Sequence, residues 1–382
     1  MSHTINPRGG DVVVVESSEI DRRIIEPKDF VADTSAFVDV RLEGSVGKAS
    51  YSFIGPGVSQ NADQTVNLSE PHGFCVGGAS MPSGAINNQH MHYTAEVFIC
   101  TKGHFEMRLG QDGSQRVDIG PNSIFSIPTW MFRGFQNVGA DDSWLFAVLG
   151  GDDTGGLLWA PQVLEAAAET GLVLTQDHAV VDTKNGEAIE NPLQPVNLER
   201  LSELDSYTDE EIGERIVSVD QLEWSRSALL SSVVAGHGSA MAPVIGFGMT
   251  EDRRQRPQTW PPHGSTLEWL QIDPGASTGP HRIAESQALI LVDGDWQISY
   301  NRGDNRVSRA AGERTVVSVP AGSWRDFTNT GDSVARCLVV CASDERAHIE
   351  WDPSLVADAA ASGWGRDASG YRAPLDLIGT TS

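Results

Sequence analysis

The feature that most constrains this chain is that it is written twice. Pro71-His-Gly recurs 191 residues later as Pro262-His-Gly, and Gly103 recurs at the same interval as Gly294. Pro128, Arg133, Phe135, Asn137 and Gly139 recur 192 residues on as Pro320, Arg325, Phe327, Asn329 and Gly331. Arg23-Ile-Ile returns as Arg215-Ile-Val, Trp159-Ala-Pro as Trp351-Asp-Pro, and Gly171 as Gly363. The slips of one residue fit single insertions in loops. A chain of 382 residues has room for two domains of this size.

Within each copy the pattern is one of short strands separated by Gly and Pro, of which the chain has 39 and 19. In the first copy, strands are expected over residues 74–79, 90–100, 104–109, 115–118, 123–127, 133–137 and 144–149. Apolar patches between 23 and 48 read as the first strands, and 49–72 as loop with a short strand at 51–54. Many short strands of this kind imply an antiparallel sandwich or barrel. The run from Pro161 to Gly171 then changes character: Pro opens a helix and Gly lies past its end. Its copy runs from Pro353 to Gly363. The expected organisation is a lead-in over 1–22, a first domain over 23–174, a polar linker over 175–214, a second domain over 215–363 and a tail over 364–382. The lead-in is expected to be mobile at its tip, and the tail to wrap back or fray.

Composition narrows the function. The formal net charge is −25, so binding to nucleic acid or to an anionic membrane is not expected. The opening residues are polar, unlike a signal peptide, and no apolar run is long enough to span a bilayer. Cys75, Cys100, Cys337 and Cys341 have no Cys-x-x-Cys spacing, and Cys100 and Cys341 sit in apolar runs. Reduced thiols and a cytoplasmic location are expected.

The chemistry concentrates in residues 87–103. His90 and His92 are two apart, so a strand points both to one face, and Glu96 shares that parity if the strand continues or resumes after a bend. Two imidazoles and a carboxylate suit a divalent metal with open positions. The spacing His-x-His-x3-Glu-x6-Gly resembles the first motif of the cupin superfamily, and Pro128 to Asn137 resembles the frame of its second motif. The resemblance extends through the repeat to nearly the whole chain. It implies an all-β bicupin: two tandem jelly-roll β-barrels, each followed by a short helix. Arg133 departs from the pattern, standing where the family usually places a third histidine.

Arginine stays protonated and is no metal ligand. Three readings of Arg133 stand: a clamp on a substrate carboxylate or enolate, which would make it catalytic and substrate-binding; a salt bridge to Glu96; or an outward side chain. His104 is a candidate replacement imidazole, and Trp130, Met131 and Phe132 candidate walls of a substrate pocket. His72 and His263, in matching turns, read as turn-capping residues or as contacts at a barrel mouth. In the second copy, His281, Ile283, Gln287 and Arg325 take the motif positions, and these are not a metal site.

What the resemblance implies about activity is broad, spanning dioxygenases, oxalate decarboxylases, isomerases and metal-free binding proteins. The expectation adopted is a metal-dependent, dioxygenase-like oxidoreductase acting on a small oxygen-chelating substrate, aromatic or carboxylate-bearing, in the first barrel. Gentisate-type and quercetin-type dioxygenases are the nearest parallels. Fe(II) is the favoured ion, with Mn, Ni, Co and Zn also suited to the donors. The alternatives are a non-catalytic bicupin holding an acidic small molecule and an O2-independent isomerase or lyase. A small-molecule substrate is the expected partner, and a homo-oligomer is compatible.

Overall fold

A computed structural model describes residues 11–201 and 207–378. They divide into two compact units: residues 30–221, here barrel one, and residues up to 29 together with those from 222 onward, barrel two.

Barrel one is a sandwich of two sheets. The larger has the order Ile216–Ser218, Ser123–Ile127, Glu96–Lys102, Ser143–Gly150, Phe74–Met81, Ala49–Ile54, Val66–Leu68. The smaller has the order Leu157–Trp159, Ile86–His92, Arg133–Asn137, Phe105–Leu109, Gln115–Ile119. Pairing is antiparallel throughout, apart from Ala49–Ile54 with Val66–Leu68. Alternation sets which face is inside: in Phe105–Leu109, Phe105, Met107 and Leu109 are buried while Glu106 and Arg108 are half-buried. Those three pack with Phe98, Phe125 and Phe135 from the neighbouring strands to fill the space between the sheets.

Barrel two repeats the plan. Its larger sheet runs Ile24–Ile25, Val316–Val319, Gln287–Asp293, Ala335–Ala342, Ser265–Ile272, Ser239–Ile245, and its smaller one Val307–Ala311, Trp296–Tyr300, Arg325–Asn329, His281–Arg282, Glu350–Trp351. The molecule is therefore all-β with two tandem jelly-rolls. Each carries its trailing helix, Pro161–Glu169 and Pro353–Ala361, held by buried Val163 and Ala167 in one and Leu355 and Ala359 in the other. Gly171 and Gly363 follow with φ of +91° and +82°, the left-handed turn that ends a helix without a Cβ clash.

The structure differs from the expected domain boundaries. The short strand that opens each repeat is the edge strand of the other repeat's barrel. Ile24 and Ile25 pair with Val317 and Val316 of barrel two, and Ile216–Ser218 pairs with Ser123–Phe125 of barrel one. An edge strand presents a row of unpaired backbone groups, and these short strands cover it. The division accordingly falls after 29 and after 221, not at 23 and 215.

Other expectations are corrected too. The apolar patch at 37–40 forms successive turns instead of a strand, with Val40 N–H bonding to Phe37 O and Leu42 N–H to Asp39 O. Gly44 and Gly47, both at positive φ, keep the chain turning. The linker is structured: Leu172–Leu174 and Val180–Asp182 form a hairpin, and Asp209–Gly213 is a helix closed by a Thr208–Glu211 capping box. The tail, by contrast, wraps back, one of its two expected behaviours: Trp364–Arg366 pairs with Arg372–Pro374, and the guanidinium groups of Arg253 and Arg346 each lie over the Tyr371 ring. The tip of the lead-in lies outside the described residues. All four cysteines are free and buried, and no helix is long and apolar enough to cross a membrane among the described residues.

Barrel two buries one acid without a cationic partner. One oxygen of Glu268 accepts the Met249 N–H at 2.8 Å and the other makes no hydrogen bond. Burial pushes its carboxyl up to about 8. Because the folded value is raised, the stability tied to the neutral acid is complete below the ordinary carboxylate range and is lost as pH rises toward 8. Urea unfolding should therefore lose up to about 1.4 kcal/mol per pH unit across that window, and Glu268→Gln should flatten the decline.

Candidate metal centre

The expected strand over 90–100 is two strands. It ends at His92, bends through residues 93–95 and resumes at Glu96. The bend carries the chain from the smaller sheet to the larger, so the two histidines and the glutamate approach one another from opposite sheets. His90 lies across from Arg133 on one side and Trp159 on the other, while Glu96 lies between Ile127 and Leu149. One ligand atom each from His90, His92 and Glu96 lies within 4.8 Å of the others.

All three residues are buried. His90 Nδ1–H donates to Asn88 O at 2.7 Å, which fixes the tautomer and leaves Nε2 as the lone-pair nitrogen. Neither ring nitrogen of His92 makes a hydrogen bond, although Nε2 lies 3.4 Å from Glu96 Oε2. Burial, followed by the charge of Arg133, depresses both imidazoles: His90 falls to about 3 and His92 well below its usual range. Both are thus neutral. Burial raises the Glu96 carboxyl, and Arg133 opposes that rise.

Arg133 resolves one of the open readings. Its Nε and Nη2 both donate to Glu96 Oε2, each at 3.1 Å, and Nη1 donates to Met131 O at 3.0 Å. The guanidinium is fully buried and pairs with the glutamate, the second of the three readings; it does not point outward and is not among the residues of the cavity wall.

A cavity with about 80 Å³ open to the centre of a water molecule adjoins the triad. His90, His92 and Glu96 form part of its wall, and the rest is largely apolar, including Phe37, Val58, Phe98, Phe135 and Leu157. The expected pocket residues lie elsewhere. Trp130 is 38% exposed and stacks edge-on against Tyr93, Phe132 packs with Met91 and Trp159 outside the cavity, and Met131 belongs to the barrel interior. They alternate about the strand entry, so the motif frame alone does not say which faces inward. His104 is exposed beside Gly120 and supplies no third imidazole. His72 is committed to its own turn: its N–H and that of Gly73 bond Asp152 at 2.7 and 2.9 Å, and Nδ1 bonds Glu70 O. His263, Gly264 and Asp344 repeat the arrangement.

Sequence reasoning missed a second layer. Lys48 Nζ donates to both oxygens of Asp39 at 2.5 and 2.6 Å and to Asn87 Oδ1 at 2.8 Å, all of it buried. Asp39 also accepts from Asn88 N–H and Nδ2. Asn88 in turn holds His90, so the pair anchors the backbone that orients the imidazole. Nothing in the spacing of Asp39 and Lys48 marked them, because the intervening loop is irregular.

In barrel two, Arg325 Nη1 donates to the Gln287 amide oxygen at 3.2 Å, and Ile283 is core. The amide takes the carboxylate's place, and the only group of three or more His, Cys, Asp or Glu in metal-holding proximity among the described residues is that of barrel one.

No family model and no curated protein matches the chain. Among solved structures, a tryptophan-to-phenylalanine variant of Bacillus subtilis oxalate decarboxylase is similar at 12% identity over 92% of this chain and 82% of that one, with TM-score 0.53. The formate complex of Lactobacillus farciminis oxalate decarboxylase is similar at 13% identity over 92% of both chains, with TM-score 0.54. The fold is that of a bicupin. The reported likenesses are to decarboxylases, so the expected parallel with gentisate- and quercetin-type dioxygenases gains no support from them.

Removing one partner of the buried ion pair tests the second layer. Lys48→Met should destabilise barrel one by about 3–5 kcal/mol in urea unfolding, and adding Asp39→Asn should recover part of the loss.

Proposed function

We propose that barrel one is the site of a metal-dependent enzyme acting on a small acid with an apolar body. The observation that carries this is the convergence of His90, His92 and Glu96 from two sheets to within 4.8 Å at the wall of an apolar cavity. The donor set fits a divalent transition ion. Both imidazoles are neutral, His90 offers Nε2, and the buried nitrogens of His92 have no hydrogen-bond partner, an arrangement costly without an ion or water beside them. Arg133 then acts as a positioning residue that holds the Glu96 carboxylate in place, the usual role of an outer hydrogen-bond donor at a metal ligand.

When bound, such an ion supplies Lewis-acid polarisation of a substrate oxygen and, if iron or manganese, one-electron chemistry with O2. The protein's part is orientation and charge. Three ligands leave positions for an oxygen-chelating substrate. One carboxylate against a divalent ion and a guanidinium leaves the site positive, which selects an anion. Decarboxylation of oxalate, the activity named for the similar structures, is not carried over, because Phe37, Phe98 and Phe135 suit a larger apolar molecule better than a small dianion. The solved structures include one described by its Mn(II) centres, so Mn(II) stands beside Fe(II) as a candidate ion. An oxygenase-type reaction is the activity to test first.

One observation favours a second reading, a metal-free binder of acidic small molecules: the Arg133–Glu96 pair is electroneutral by itself. Elemental analysis separates the two. The enzyme reading expects about one equivalent of transition metal per chain, lost in His90→Ala and His92→Ala. Metal-free protein from metal-replete medium would overturn it. O2 uptake with aromatic acids tests the oxygenase reaction, and turnover under anaerobic conditions would favour a lyase or isomerase. Arg133→Gln should weaken metal affinity about 10–100-fold in chelator competition while leaving the ligands in place.

A further inference from the structure

The two barrels diverge most where barrel one is hollow. On the paired strands Phe74–Met81 and Ser143–Gly150, Ala79 lies opposite Leu145 and Gly77 opposite Ala147. Both pairs line the cavity. The same positions of barrel two, on Ser265–Ile272 and Ala335–Ala342, hold Leu270 opposite Cys337 and Glu268 opposite Val339. Leu270, Cys337 and Val339 are fully buried members of the core. Glycine and two alanines in one copy are thus replaced by glutamate, leucine and valine in the other. At three of the four positions barrel two carries the larger side chain, and at the fourth Leu145 is exchanged for the smaller Cys337; this is the same copy whose metal-ligand positions carry Ile283 and Gln287.

We infer that Gly77, Ala79 and Ala147 set the size of the molecule that barrel one accepts, and that this molecule is an aromatic carboxylate. Its ring lies over the small-residue floor, against the contacting pair Phe98 and Phe135, whose ring centroids are 5.0 Å apart, and its carboxylate faces the triad. The ring-sized cavity and its apolar walls argue for the aromatic body. The three ligand positions argue for an anionic head, since a divalent ion held there beside one carboxylate would leave the site positive. The inference rests on the proposed location of the active site, but its size argument does not need the ion.

The test compares the wild-type protein with Ala147→Val and Ala79→Leu/Ala147→Val, which install the barrel-two residues in barrel one. Binding of 2-naphthoate and of oxalate is measured by calorimetry, with metal content and thermal unfolding recorded on the same samples. The expected result is that wild type binds 2-naphthoate more tightly than oxalate. Each variant unfolds like wild type, and naphthoate affinity falls stepwise, by about tenfold or more in the double variant. The single valine, the smaller change, keeps the test open if the double variant does not fold. Equal naphthoate affinity in wild type and the folded variants would overturn the inference, as would a wild-type preference for oxalate. A metal-free wild type showing the size-dependent loss would overturn the enzyme reading and leave this inference standing. A metal-replete wild type without that loss would do the reverse.

Discussion

A carboxylate between two apolar sheets has to be compensated, and Glu96 is compensated by Arg133. Burying an unpaired charge costs several kcal/mol, and the two N–H bonds onto one carboxylate oxygen offset part of that cost while leaving the group close to His92. The site is arranged around this pair. Arg133 stands opposite His90 in the strand register, so burial disfavours the charged form of both imidazoles and the residue that pairs with the acid adds to that effect. Barrel two keeps the arginine and exchanges the acid for an amide, which still accepts a guanidinium N–H but lacks the charge to hold a divalent ion.

The inner site is supported by an outer one. Lys48 and Asp39 form a second buried pair whose work is mechanical: Asp39 holds Asn88, and Asn88 holds the His90 ring. Barrel two has Ser231 and Ser239 at the corresponding positions, both buried and neither charged. Charge compensation, ligand orientation and open volume are therefore features of one copy, and the other keeps the framework without them.

Much of this was legible in the residues. The repeat predicted two similar domains, the strands at 123–127 and 133–137 have the expected limits, and Pro161 with Gly171 bounded a helix. The triad was legible because its spacing is local. What was not legible depends on partners distant in sequence. The bend at 93–95 looks like strand by composition, yet it moves Glu96 to the facing sheet. The direction of Arg133, and the outward placement of Trp130 and His104, follow from which strands pair, which spacing does not specify. The cavity is made by residues too small to carry a signal singly. Gly77 against Glu268 would have shown it had the two copies been compared position by position.

The exchange of opening strands bears on how the molecule is made. Ile24 and Ile25 pair with Val317 and Val316, so the whole of barrel one lies in the chain between the two partners. Barrel two's edge therefore waits on synthesis of all of barrel one, and its closure joins segments far apart in the chain. Such contacts form late because loop entropy is lost before they return any stability. Barrel one needs only Ile216–Ser218, which emerges shortly after the rest of it. The copy with the cavity is thus able to assemble during translation, while its twin has to keep the strand Ile24–Ile25 available until Val316–Val319 has been made.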